Sequence, residues 1–182
     1  MEELTPGAWG WRGGEGLTLS QRRDDAPRVV DLMNEIVPQL WVGLRPAADI
    51  PSMLTDAGIQ CLISVGSLSP KPLNTTVMTN RAVAMGELSS AALLGHLPNL
   101  MDAIDTGLKE GGVLVHSEEG DDESAAAAVA IGWLMARRGV AWGDAPSQVK
   151  EARPSALLNP NFEKQLRVWC TWKEFPGLPA WM

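Results

Sequence analysis

Residues 112–135, GVLVHSEEGDDESAAAAVAIGWLM, constrain the fold of this 182-residue chain more than any other stretch. The apolar run 112–115 suits a strand buried on both faces. From Ser124 onward the chain is apolar on nearly every side, which predicts a helix enclosed by other elements. A short polar loop, 116–123, joins the two. Strand, tight loop and helix N-terminus form a layout that ordinarily receives an anion, because backbone N–H groups and the helix dipole favour negative charge there. This loop carries Glu118, Glu119, Asp121, Asp122 and Glu123 instead. Five carboxylates fill a shape suited to phosphate.

The remaining pattern alternates strands with helices. Residues 36–43, IVPQLWVG, predict a first strand, with Pro38 placing it at an edge or a strand start. Just before it, 29–33 mark the entry to folded structure through a short helix. Residues 47–57 have Ile50, Met53, Leu54 and Ala57 at helical spacing, with Pro51 in the first turn and Gly58 as the stop. The run 59–65, IQCLISV, reads as a second buried strand. Loop follows over 66–76, then a weaker strand over 77–85. Leu93, Leu97, Leu100, Met101, Ile104 and Leu108 form one stripe of a helix over 89–108, which Pro98 should kink or split in two. Arg137, Arg138 and Gly139 close the enclosed helix. Residues 145–152 and 161–172 add two more. The sum is an α/β sandwich around one mostly parallel sheet, with helices on both faces.

A chain of this size makes one domain with room for tails. Residues 1–28 hold much glycine and charge, with Trp9 and Trp11 the only aromatic groups, so they read as a tail. Residues 29–169 form the domain and 170–182 a second tail. Ordinary globular composition, 45% hydrophobic and 20% charged, permits a sizeable core. A net charge of −7 without a basic face argues against nucleic acid or an anionic membrane as partner. Cys61 and Cys170 make no disulfide framework, and Cys61, in an apolar run, reads as a small core residue. The acidic N-terminus lacks a secretory h-region, and no apolar run reaches the ~20 residues of a membrane span. The expected location is cytoplasmic, with a cytoskeletal or ciliary assembly as a candidate.

Taken together, six separated segments resemble the dual-specificity protein phosphatase family over roughly three quarters of the chain. Residues 36–43, with an aromatic at Trp41, are similar to the family's opening strand, and 58–65 to its second. Val113-Leu114-Val115-His116 leads into the signature loop, and Trp133-Leu134-Met135 matches an aromatic-Leu-Met triplet in the following helix. Arg153-Pro154, Asn159, Phe162 and Gln165-Leu166 keep the family's spacing near the end. The resemblance implies the family's α/β sandwich. It also implies a loop with a nucleophilic Cys after the His and a phosphate-binding Arg. Here His116 and Gly120 are kept, but Ser117 stands at the nucleophile position and Glu123 at the arginine position. The family's general-acid Asp falls near Glu87 or Gly86.

These departures weigh against phosphate chemistry. A thiolate of lowered pKa is the nucleophile such a site needs, and a serine hydroxyl has no base beside it in sequence. At ~8 Å and an effective dielectric of ~20, each carboxylate repels a phosphate dianion by roughly 4 kcal/mol before screening. The expectation is therefore a chain that is not an enzyme. It reads as a pseudophosphatase acting as a protein-interaction or structural module, with no cofactor and no metal. Asp121, Asp122 and Glu123 then serve the fold by accepting the loop's own N–H bonds. Other readings of the acids are a dock for a partner's basic surface, a Ca²⁺ or Mg²⁺ site without recognised ligand spacing, and retained catalysis at Ser117. A divergent phosphatase or hydrolase pairing Ser117 with Glu87, or a phosphoprotein reader, stands as the alternative. His116 reads as a hydrogen-bonded structural residue, and Arg153 as packed within the fold. Trp9, Trp11, Trp172, Phe175 and Trp181 are candidate anchors for protein partners, since tryptophan is enriched where partners bind.

Overall fold

The computed structural model describes residues 32–66, 79–83, 92–117 and 124–174. Five strands form one sheet: β1 (Met33–Val37), β2 (Leu40–Leu44), β3 (Ile59–Val65), β4 (Thr79–Val83) and β5 (Gly112–Ser117). Their spatial order is β1-β2-β5-β3-β4. β1 runs antiparallel to β2, and every other neighbouring pair is parallel. β5 lies at the centre, in register with β2 from Leu40↔Val113 to Leu44↔Ser117 and with β3 through Ser64↔His116. All six of its residues are buried, as a strand covered on both faces requires.

The helices are α1 (Arg45–Ala48), α2 (Pro51–Asp56), α3 (Ala92–Glu110), α4 (Ser124–Arg137), α5 (Ala145–Ala152) and α6 (Pro160–Glu174). Strand alternation divides the apolar residues between two layers. Val113 and Val115, with Leu40, Val42, Cys61, Ile63 and Val65, face the large core under α3, α4, α5 and α6. Leu114 and Leu62 point the other way, into a smaller core with Ala47, Ala48, Met53 and Leu54 of α1 and α2. Helices therefore cover both faces. α4 is the enclosed helix, buried continuously from Ala125 to Met135. Its end is capped at Gly139 (φ 69°), where the Val140 N–H donates to Leu134 O. Among the described residues, no helix is long and apolar enough to cross a membrane.

Several local expectations change. The single strand expected over 36–43 is a hairpin, β1 and β2, turning at Pro38-Gln39 with Gln39 in the left-handed region (φ 69°). The Gln39 N–H donates to Glu35 Oε1 at 2.7 Å, which ties the turn. Asn34 and Glu35 hide β1 in the sequence because an edge strand tolerates polar groups. Of the short helix expected over 29–33, Leu32 is helical and Met33 already extended, while 29–31 lie outside the described residues. The helix expected over 47–57 is two short ones. Ile50, ahead of Pro51, is extended (φ −110°, ψ 94°), as the proline ring demands of its predecessor. α3, in contrast, runs uninterrupted through Pro98. Burial of Leu93, Leu97, Leu100, Met101 and Ile104 outweighs the one missing helical hydrogen bond. The weak strand over 77–85 is the edge strand β4, while the loop over 67–76 lies outside the described residues. Finally, α6 continues to Glu174, past residue 169.

Gly107 sets how closely α3 approaches the sheet. A Cβ there would lie 2.7 Å from Val113 Cγ2 and 2.8 Å from Cys61 Cβ. Gly107→Ala gains about 1 kcal/mol of helix propensity but forces two strands to give way. We expect a net destabilisation of about 1–3 kcal/mol, read as a lower urea midpoint with unchanged slope.

Candidate functional site

The carboxyl ends of β2, β5 and β3 meet at Ser117, which lies opposite Leu44 on one side and Val65 on the other. In an open parallel sheet this edge is where ligands are bound. Ser117 is the last residue of β5 and is 3% exposed. Its Oγ accepts a hydrogen bond from the Ala126 N–H, in the first turn of α4, at 3.4 Å. The serine hydroxyl thus faces the positive end of a helix dipole, and an oxyanion at this position would be stabilised by it.

His116 occupies the opposite face of the strand. Alternation along β5 sends Ser117 toward α4 and His116 toward the layer beneath, and the imidazole is wholly buried there. Its Nε2 lies 2.8 Å from Ser64 Oγ, across the β3–β5 register pair. Its Nδ1 lies 3.4 Å from the Ser117 carbonyl oxygen. A carbonyl only accepts, so a neutral ring making both contacts would carry its proton on Nδ1 and accept from the Ser64 hydroxyl at Nε2. This sheet-side role excludes His116 as a base for Ser117 Oγ. Ser64 was not singled out from the sequence; a hydroxyl at 64 between the apolar Ile63 and Val65 of the run IQCLISV is the signal that could have found it.

Other expected residues fall variously. Arg153 ends α5, is 1% exposed, and donates from Nη1 to Asn34 Oδ1 on β1, so it packs and pairs within the fold. Cys61 is buried under α3. Burial pushes its thiol above the ordinary value of 9.0, with the Arg81 charge opposing and Glu110 adding to the rise. Neither cysteine stands at Ser117's position, and Cys61 has the electrostatics of an inert core thiol. Trp169 of α6 packs partly buried against the large core. Trp172 lies on α6. Glu87, Gly86, the loop residues Glu118, Glu119, Gly120, Asp121, Asp122 and Glu123, and Trp9, Trp11, Phe175 and Trp181 lie outside the described residues. Among the described residues, no three metal-ligating side chains come together.

With this geometry in hand, comparison with known proteins is specific. The family model "Dual specificity phosphatase, catalytic domain" matches residues 40–171. The chain is 32% identical over 149 residues to human dual specificity phosphatase 28, covering 81% of this chain and 83% of that protein. It is 32% identical over 143 residues to mouse dual specificity protein phosphatase 19, covering 78% of this chain but 64% of the relative's length. Among solved structures, human dual specificity phosphatase 28 superposes with a TM-score of 0.70 at 29% identity, over 78% of this chain and 95% of the other. A human tyrosine phosphatase-like serine/threonine/tyrosine-interacting protein superposes with a TM-score of 0.68 at 25% identity, over 78% and 97%.

One expectation is overturned here. The chain was expected not to be an enzyme, because thiolate and arginine are missing from its loop. The matching model is that of a catalytic domain, and the relatives at 32% identity are named phosphatases. These matches point to an enzyme. The expectation rested on the missing thiolate and arginine, and gave less weight to the strand and helix that match the catalytic domain.

Two measurements check the site's wiring. Ser64→Ala removes the hydroxyl that the buried Nε2 accepts from, and should cost about 1–3 kcal/mol in chemical denaturation. In the native protein Cys170, partly exposed, should alkylate well before Cys61. A raised thiol pKa means the folded chain keeps a proton that the unfolded chain loses. The contribution of Cys61 is therefore full below 9.0 and falls as pH rises past it.

Proposed function

Because the chain belongs to the dual specificity phosphatase family, we propose that it acts on phosphorylated side chains of proteins, with Ser117 Oγ in the place of the family's thiolate. The observation that carries this reading is the position of that hydroxyl, buried at the carboxyl end of β5 and facing the Ala126 N–H of α4. Attack by Oγ on phosphorus forms a seryl–phosphate bond as the bond from phosphorus to the substrate oxygen breaks, that oxygen leaving protonated; water then hydrolyses the seryl phosphate, releasing phosphate and restoring the hydroxyl. The Ser117 proton needs a carboxylate acceptor, because His116 is committed to Ser64 on the other face. Glu87 is the candidate for that role. An ordinary hydroxyl followed in sequence by five acidic residues makes a slow phosphatase, since both nucleophile strength and phosphate affinity are reduced.

Slow chemistry leaves recognition as the second reading: a protein-interaction or structural module in a larger assembly. Two observations favour it. The loop carries five carboxylates that oppose phosphate and suit a basic protein surface. A solved protein of the same fold is named a tyrosine phosphatase-like serine/threonine/tyrosine-interacting protein. Trp172, Phe175 and Trp181 are then the anchors for such a partner.

Phosphotyrosyl and phosphothreonyl peptides separate the two. The enzyme reading predicts phosphate release that drops about tenfold or more in Ser117→Ala, with radiolabelled phosphate trapped on Ser117 in the wild type. Release that is equal in both proteins would remove Ser117 from the chemistry. The recognition reading predicts that an unphosphorylated basic peptide binds at least as tightly as its phosphorylated form, and that this preference persists in Ser117→Ala. Tighter binding of the phosphorylated form would sink it.

A further inference from the structure

A cleft of about 530 Å³ opens between α4 and α5. Ala127 and Ile131 of α4, Val149 of α5, and Ala156, Leu157 and Leu158 of the following segment line it. Leu157 at its edge is 65% exposed. At the polar rim, Lys150 Nζ is already engaged, donating to Ala156 O at 2.9 Å. An apolar cleft of this size with a water-facing leucine is a site for large apolar side chains.

The place where residues 1–31 join the fold points to their source. The chain enters at Leu32 and β1, and β1 packs against α5. Asn34 on β1 accepts from Arg153 at the end of α5, and Arg153 O in turn accepts from the Ala156 N–H on the cleft wall. Leu32, where the described chain begins, therefore leads into the strand that packs beside the cleft helix. The C-terminal end follows α6, which packs chiefly against α4 and α3. Trp9 and Trp11 precede Leu32 by 23 and 21 residues. At about 3.3 Å per extended residue this stretch can span a whole small domain, so reach does not limit docking. Each indole buries about 150–250 Å² when covered, an amount the cleft walls can supply.

We propose that Trp9 and Trp11 dock in the α4–α5 cleft of their own chain. Ala127 on the cleft wall adjoins Ala126, whose N–H meets Ser117 Oγ. The docked segment thus braces the turn of α4 that faces the signature serine.

Hydrogen exchange over 145–158 in the full chain tests this. Trp9→Ala/Trp11→Ala should speed exchange there about fivefold or more. Leu157→Asp, at an exposed position that leaves the core intact, should do the same. Because both changes empty one contact, combining them should add little. Unchanged exchange in the tryptophan variant, or fully additive effects, would overturn the proposal. Protection that disappears on dilution of the wild type would assign the cleft to a second copy of the chain, and would overturn it too.

Discussion

Double-sided burial of β5 is the constraint on which the rest of the molecule depends. A parallel strand at the sheet centre has both edges hydrogen-bonded and both faces covered, so each residue from Gly112 to Ser117 must satisfy a dry environment. Val113 and Val115 meet α3 and α4, while Leu114 meets the layer of α1 and α2. The direction and depth of β5 place the start of α4 over the carboxyl edge of the sheet. The helix itself has little freedom, being buried on all sides from Ala125 to Met135. Its Gly132 lets Leu97 of α3 approach, since a Cβ there would stand 2.8 Å from Leu97 Cδ2.

That constraint makes the polar residues at the end of β5 expensive, and their arrangement answers the cost. His116 is wholly buried and finds Ser64 across the register pair. Ser117 is nearly as buried and finds the Ala126 N–H. A buried polar group without a partner costs about 1–3 kcal/mol, so both interactions hold the strand end in one conformation. The alternation that separates them also divides their labour: the histidine secures the sheet, and the serine faces the helix dipole. The frame around Ser117 therefore persists although the residue there is an alcohol.

Away from that edge, α4 is secured to α3 by a second polar cluster. Trp133 Nε1 donates to Asp105 Oδ1 at 2.8 Å, and Arg137 reaches Asp105 and Asp102. These bonds fix the helix's far end, while its near end addresses Ser117. The carboxylates are partly or largely exposed, so the cluster sets orientation more than it adds stability.

The sequence by itself determined the class of fold. A near-continuous apolar run at 59–65, a continuous one at 112–115, an all-apolar helix after Ser124 and a leucine stripe over 93–108 admit little except a buried parallel sheet with packed helices. It also located Ser117 in the nucleophile's place, because motif position is a property of the chain alone. What it could not show was anything depending on neighbours distant in sequence. The hairpin was missed because the polar residues of an edge strand leave no periodic signal. Pro98 looked disruptive because local propensity takes no account of the burial that holds α3 together. Ser64 became legible only when parallel pairing brought it across from His116, 52 residues away. The tertiary structure alone decided what His116 and Ser117 each meet, because the two faces of β5 acquire different neighbours only once the sheet is packed.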